Sequence, residues 1–434
     1  MIACLSSVDA DFDASLEALL RIPAEEEADV RETVTQILKD VRARGDTAIV
    51  ELTNRFDQRD AQTIEDLIVS REQLESALDT IDPLVADALA ESVKRVRYYH
   101  EQQLAALGQD WEYTDEFGNR LGQRVQPMAR VGLYAPGGKA AYPSTIIMTA
   151  VPARVAGVEE LVLCVPVPEG EFNPVLLAAA CLCDIDLVVG IGGAQAIAAM
   201  AYGTALVPRV DKIVGPGNVF VATAKEMVFG DVGIDMIAGP SEVLIIADGS
   251  ADPDWVIQDM FAQAEHDELA QAVLITDSSQ LIDKVKTRLP GKLAAEPRKD
   301  IIRASISDRG VLIQVRDLDE AFEVANRIAP EHLQLALEDA GRYLDRVRWA
   351  GAVFIGSGTA EVVGDYTAGP SHVLPTSGTA RFASPLGVYD FLVRSSVIEC
   401  TPHGTSQLNR AAAILADEEG LSAHAESARI RIKG

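Results

Sequence analysis

Cysteine is scarce in this 434-residue chain, and its five copies (Cys4, Cys164, Cys181, Cys183, Cys400) are too irregularly spaced for a disulfide framework. Only one residue separates Cys181 from Cys183, which is neither a redox nor a zinc-ribbon spacing. Reduced thiols in a cytoplasmic setting are the simple expectation. Aromatic residues make up only 5%, so Ala, Val, Leu and Ile must fill any core, which fits an α/β protein better than a β-sandwich. Basic residues are outnumbered, 38 Lys+Arg against 66 Asp+Glu, for a net charge of -28. Without a basic stripe or aromatic–basic interleaving, no nucleic-acid partner is expected. No run approaches the roughly 18–20 apolar residues of a membrane span. The opening MIACLSSVDADFD has no basic region before an apolar stretch, so no secretory leader is expected.

What is present is apolar material, 48% of the chain, enough for roughly two to four structural units. Residues 1–25 read as a short helical arm ending in Glu25-Glu26-Glu27. From 28 to 106 the pattern is helical: Val30, Val34, Ile37, Leu38 and Val41 recur at helix spacing, Gly45 is a stop, and Asp82-Pro83 is a start. Trp111 to Val125 reads as a hairpin. From Arg130 the character changes to strand, loop, helix, at about 25–30 residues per unit. Strands are expected at 130–134, 160–165, 186–190, 243–247, 272–276, 310–314 and 352–355. This alternation predicts an α/β fold with two doubly wound, incomplete Rossmann-like parallel sheets. The division expected is a first domain from 26–133 and 242–381, a second from 134–241, and a helical tail from 382–434. That tail is too short for its own core and should pack on something, such as a partner subunit.

Four of the six histidines, His266, His332, His372 and His424, sit near carboxylates or amides in segments punctuated by Gly or Pro. Imidazole binds metals and trades protons near neutral pH. Gln263 and His266 are three apart in a helical stretch and so share a face. An amide is a weak ligand, and Asp365 and His424 are candidates to complete a zinc-type set. Pro330 fits the first turn of a helix, from which adjacent Glu331 and His332 would project for proton transfer and water activation. Glycine-rich loops occur at Pro136-Gly137-Gly138, Gly190-Ile191-Gly192-Gly193 and Gly215-Pro216-Gly217-Asn218. The second follows a strand and opens a helix, where a dinucleotide phosphate would sit, yet Gln195 stands where the fingerprint wants Gly or Ala. No acidic ribose-binding residue follows at the expected distance. The loop Gly364 to His372 carries Asp365 and His372 as further site candidates.

The stretches RVGLYAPGGKAAYPSTIIMTAVPARVAGV, GGAQAIAAMAYGT, VDKIVGPGNVFV, IDMIAGPSEVLIIAD, QAEH, APEHLQL, GDYTAGPSHVLPTSGTARFASPLGVYDF and EGLSAH run in order from about residue 130 to 424. Together they resemble the histidinol dehydrogenase family. The resemblance implies a homodimer using Zn²⁺ and NAD⁺ to oxidise L-histidinol to L-histidine through L-histidinal. It implies Gln263, His266, Asp365 and His424 as metal ligands, and Glu331 and His332 as the proton-transfer pair. Ser241, His372 and Glu419 would line the substrate site with those ligands and His332. Tyr134, Gln195 and Asn218 match the family's NAD contacts, making 134–241 the NAD-binding domain. The family's tail reaches the other subunit, so Glu419 and His424 would act across the dimer. Two other readings differ in chemistry. A relative could oxidise another small polyol or a sulfonated diol, and the anionic sulfonate would want a basic residue where Glu419 stands. A zinc hydrolase with Glu331 as base would leave the glycine-rich loops and Tyr134 without a role.

Overall fold

Aliphatic runs without polar interruption become strands buried on both faces. In the computed structural model, which describes residues 2–20, 27–137 and 142–432, the strands are named in chain order. They are β1 (Ala3–Ser6), β2 (Ile68–Val69), β3 (Trp111–Thr114), β4 (Arg120–Pro127), β5 (Arg130–Tyr134), β6 (Glu160–Cys164), β7 (Leu187–Val189), β8 (Lys212–Val214), β9 (Gly233–Ile234), β10 (Glu242–Ala247), β11 (Gln271–Thr276), β12 (Val311–Gln314), β13 (His332–Ala336), β14 (Ala352–Ile355) and β15 (Leu392–Glu399).

The expected pair of doubly wound sheets is present. One has the order β1-β12-β11-β10-β13-β14 and is parallel throughout. The other has the order β2-β7-β6-β5-β8-β9 and is parallel except where β2 runs against β7. In each sheet the chain winds outward one way, returns, and winds outward the other way. The reversal falls between β10 and β13 in the first sheet and between β5 and β8 in the second, and such switch points open crevices. Leu244, Ile245 and Ile246 are wholly buried at the centre of the first sheet, each contributing roughly 1.5–3 kcal/mol relative to exposure.

The structure groups several segments differently from the sequence reading. The helices Glu27–Arg44 and Asp46–Phe56 do not join the 242–381 unit. Their apolar stripe, Val30, Val34, Ile37, Val41 and Ile49, packs with Val162, Ile191, Ile197 and Ile213 on one face of the β5–β8 sheet. The helices Arg71–Thr80 and Pro83–Leu107 supply Leu74, Leu89 and Val96 to the opposite face. Each face must be covered, and these helices cover them. Nor do the described residues of that stretch, 2–20, form a separate arm: β1 is the edge strand beside β12, and Phe12 and Leu16 enter the core with Val311 and Ile313. The 382–434 segment is not wholly helical either. β15 runs antiparallel to β4, extending the Trp111–Val125 hairpin to three strands, before the helices Pro402–Glu418 and Ser422–Arg429. The acidic residues Glu25 and Glu26, and Gly138 and Lys139 of the Pro-Gly-Gly loop, lie outside the described residues.

Candidate active site

Pro330 does not open a helix. The helix Leu318–Ile328 is capped by Asp317, whose side chain accepts from Glu320 N, and it stops at Ala329 in a left-handed conformation (φ 53°). The chain then enters β13, where Leu333 and Leu335 are buried in the core. Glu331 and His332 therefore sit at the amino-terminal end of β13, an interior strand next to β10. Beside them Glu242 opens β10, with Val243 in register with His332.

Glu242 grips both residues through its backbone. Its N–H donates to Glu331 Oε2 at 2.8 Å, and its carbonyl receives His332 Nδ1 at 3.1 Å. A carbonyl only accepts, so Nδ1 carries the proton and Nε2 keeps a lone pair. Burial pushes His332 down to about 3, with His266 and His372 adding to the shift, so the ring is neutral. Its 3.6 Å approaches to Glu331 Oε2 and Glu361 Oε1 are accordingly not ion pairs. Burial raises the Glu331 carboxyl well above its ordinary range, reinforced by Glu242 and Asp365.

The short helix Glu361–Tyr366 places Asp365 one turn beyond Glu361. Ligand atoms of His332, Glu361 and Asp365 lie within 4.8 Å of one another. Burial pushes Asp365 up to about 7. His372 Nδ1 donates to Asp365 O at 3.1 Å, and burial pushes His372 down to about 4. The helix Pro253–Ala264, capped by Asp252, delivers Gln263 in its last turn, and His266 N donates to Gln263 O just beyond it. Burial lowers His266 as well. Gln263 is wholly buried, yet neither its Oε1 nor its Nε2 has a partner among the described residues. A buried amide with both polar atoms unsatisfied is costly, so its placement asks for a ligand. Imidazole and carboxylate donors together with an amide oxygen suit a zinc-type cation.

The second sheet contributes its opposite edge. Tyr134 ends β5, and its buried hydroxyl accepts from Gly193 N at 3.1 Å. Gln195 is buried in the helix Gly193–Tyr202. Gly215 follows β8 at φ +115°, where a Cβ would lie 2.1 Å from Tyr134 O, so only glycine lets the two strand ends approach. Asn218 is exposed and caps the helix Val219–Val228, its Oδ1 accepting from Phe220 N and Val221 N. That fixes the amide, leaving Nδ2 to donate outward. The halves meet at the 365–376 segment: Ser371 Oγ donates to Met148 O, Ser92 Oγ to Tyr366 O, and Gly239 N to Thr376 Oγ1.

The structure thus draws Gln263, His266, Glu331, His332, Asp365 and His372 together, with Ser241 just before Glu242. Glu419 and His424 stay outside: both are exposed on the hairpin of helices Pro402–Glu418 and Ser422–Arg429. No hydrogen bond or ion pair among the described residues ties them to the cluster. The sequence reading missed Glu242 and Glu361. Glu361 had a findable signal, since it precedes Asp365 by four and shares its helix face.

The model of the histidinol dehydrogenase family matches residues 20–432. The histidinol dehydrogenase of Pseudomonas putida is 54% identical over 431 residues, covering 99% of this chain and 97% of its own. That of Nitrosomonas europaea is 53% identical over 427 residues, covering 98% of both. The crystal structure of histidinol dehydrogenase from Elizabethkingia anophelis has a TM-score of 0.92 at 30% identity, covering 99% of this chain and 98% of its own. A neutral imidazole and a buried carboxyl beside a dinucleotide-type sheet are the equipment of an oxidoreductase. This chain belongs to the histidinol dehydrogenase family. The readings as a polyol dehydrogenase or a zinc hydrolase are not favoured.

Proposed function

We propose that this chain oxidises L-histidinol to L-histidine through L-histidinal, using Zn²⁺ and two NAD⁺, as a cytoplasmic homodimer with shared active sites. The observation that carries this reading is the Gln263 amide, wholly buried with both polar atoms unpartnered, three residues before His266. Gln263, His266 and Asp365 would hold the zinc, with His424 supplied by the partner subunit. The exposure of His424 and Glu419 on a terminal hairpin favours that role across the dimer. Zn²⁺, when bound, would anchor the substrate's imidazole and amine. NAD⁺, when bound, would accept a hydride in each oxidation.

The chain's own residues handle protons and orientation. His332 Nε2, its lone pair set by the Nδ1 bond to Glu242, accepts the substrate's hydroxyl proton. Glu331 takes a proton from the water that hydrates the aldehyde; its raised pKa makes its ionised form a stronger base than an ordinary carboxylate. Ser241 and His372 line the substrate site, and Glu419 of the partner's tail suits a cationic substrate. Tyr134, Gln195 and Asn218 hold the dinucleotide at the second sheet. The cysteines are free, as a reducing compartment keeps them, and no helix among the described residues is long and apolar enough to cross a membrane. Small molecules and a second copy of the chain are the partners. Protein, Zn²⁺, NAD⁺ and L-histidinol should give two NADH per histidine formed; turnover only with another alcohol would overturn the proposal.

A further inference from the structure

Lys225 and Asp235 form the most buried acid–base pair of a Lys or Arg among the described residues, with side chains 3% and 1% exposed. Lys225 sits in the helix Val219–Val228, and Asp235 directly follows β9. Both also hold one residue, Gly215, between them. Lys225 Nζ donates to Gly215 O at 2.9 Å, and Asp235 Oδ2 accepts from Gly215 N at 2.7 Å. Asp235 N is itself anchored to Ile213 O at 3.2 Å. Gly215 is the residue whose backbone crowds Tyr134 at the β5–β8 switch point, and three residues on stands Asn218.

The cost of taking an ion pair out of water commonly cancels its attraction, so apolar side chains of the same volume are often as stabilising. Stability alone therefore does not account for this one, whereas the two bonds to a single glycine do. We infer that Lys225 and Asp235 are positioning residues for the cofactor loop Gly215–Asn218. They clamp the peptides on either side of Gly215, which sets the loop against Tyr134 and aims the outward amide of Asn218 across the crevice. A loop freed by about an ångström would lose affinity for the dinucleotide without touching the acid–base pair or the metal ligands. The inference rests on the reading of this sheet as the NAD side.

The test is the double variant Lys225→Met/Asp235→Asn. It removes both charges together, leaves neither stranded, and keeps an oxygen for Gly215 N–H while Gly215 O loses its donor. The dissociation constant of NADH, titrated by fluorescence, and the KM for NAD⁺ should each rise about tenfold, with zinc content and the KM for histidinol unchanged. An NADH affinity within about twofold of the parent, with only a lowered Tm, overturns the positioning role, as does an equal rise in the histidinol KM. Lys225→Gln/Asp235→Asn, which strands no charge and whose Gln is one atom shorter than Lys and so reaches Gly215 O less well, covers a double variant that does not fold; it should shift the same way by less, and no shift overturns the role. Asn218→Ala separates the two layers. If Asn218→Ala leaves NADH affinity intact, the cofactor reading fails; if it weakens binding and the clamp variants do not, only the clamp fails.

Discussion

The two sheets are wound alike, yet they offer opposite edges to the site. The β5–β8 sheet presents its carboxyl edge, with Tyr134, Gly193 and Asn218 just past the strands. The β10–β13 sheet presents its amino edge, with Glu242 and His332 as first residues of their strands. The difference is one of polarity. At a carboxyl edge the following helices begin, at Gly193 and after Asn218, so their positive dipole ends lie there. That suits the phosphates of a dinucleotide. At an amino edge helices finish: Gln263 and His266 stand at the carboxyl end of Pro253–Ala264, where the dipole is negative. That suits a metal ion or an ammonium group. Two sheets of one architecture thus offer one edge that suits an anion and one that suits a cation.

The largest effect expected breaks the amino-edge half. His332→Ala should lower kcat by about 10³-fold, the range for a positioned proton acceptor, while bound zinc stays at the parent level. Loss of zinc in that variant would mean His332 is a ligand, as its closeness to Asp365 and Glu361 permits. Gln263→Ala is the complement. It should lower zinc affinity by about 10–100-fold, read by competition with a chelator, and leave NADH binding unchanged. The carboxyl-edge half is sharpened by Tyr134→Phe. It removes the acceptor of Gly193 N–H and should weaken NADH by about threefold to tenfold with zinc untouched.

How much of this the sequence discloses depends on whether the signal is local. β10 and β11 are unbroken aliphatic runs, and Gln263 and His266 lie on one turn, so both are legible. The partner of an amphipathic helix is not. The stripe Val30 to Val41 announces a buried face without saying which sheet receives it, and the structure gives it to the second. β15 escaped because most of its residues are exposed, so no alternation of buried and open positions marks it. Pro330 misled because a proline fits a helix start and a strand entry equally; the left-handed Ala329 decides, and that is a tertiary outcome. Glu242 was hidden for another reason: its backbone does the work, and backbone roles leave no side-chain signature.

Glu242 also yields the smallest effect, at the seam between catalytic pair and protein body. Its carboxyl is buried, accepts from Ser377 N at 2.6 Å, and is pushed by burial up to about 7. In the unfolded chain a Glu titrates near 4.3. Below that pH both states hold the proton and burial costs nothing. As pH rises towards 7 the unfolded state ionises while the folded state stays protonated, so stability falls, and the full cost is present above 7. Glu242→Gln keeps an acceptor for Ser377 N and cannot ionise. Its stability relative to the parent should therefore improve between pH 5 and pH 8, by on the order of 1–3 kcal/mol, less what the half-buried Arg309 loses as a neighbour. Urea midpoints at the two pH values read this directly. His332 and His372 are pushed down instead of up, so their contribution is lost in the opposite direction, as pH falls from the unfolded value near 6.5 towards 4 and 3. A variant with no pH-dependent gain would mean that Glu242 is ionised at neutral pH and paired to Arg309. The backbone that holds Glu331 and His332 would then be anchored by a charge rather than by a neutral acid.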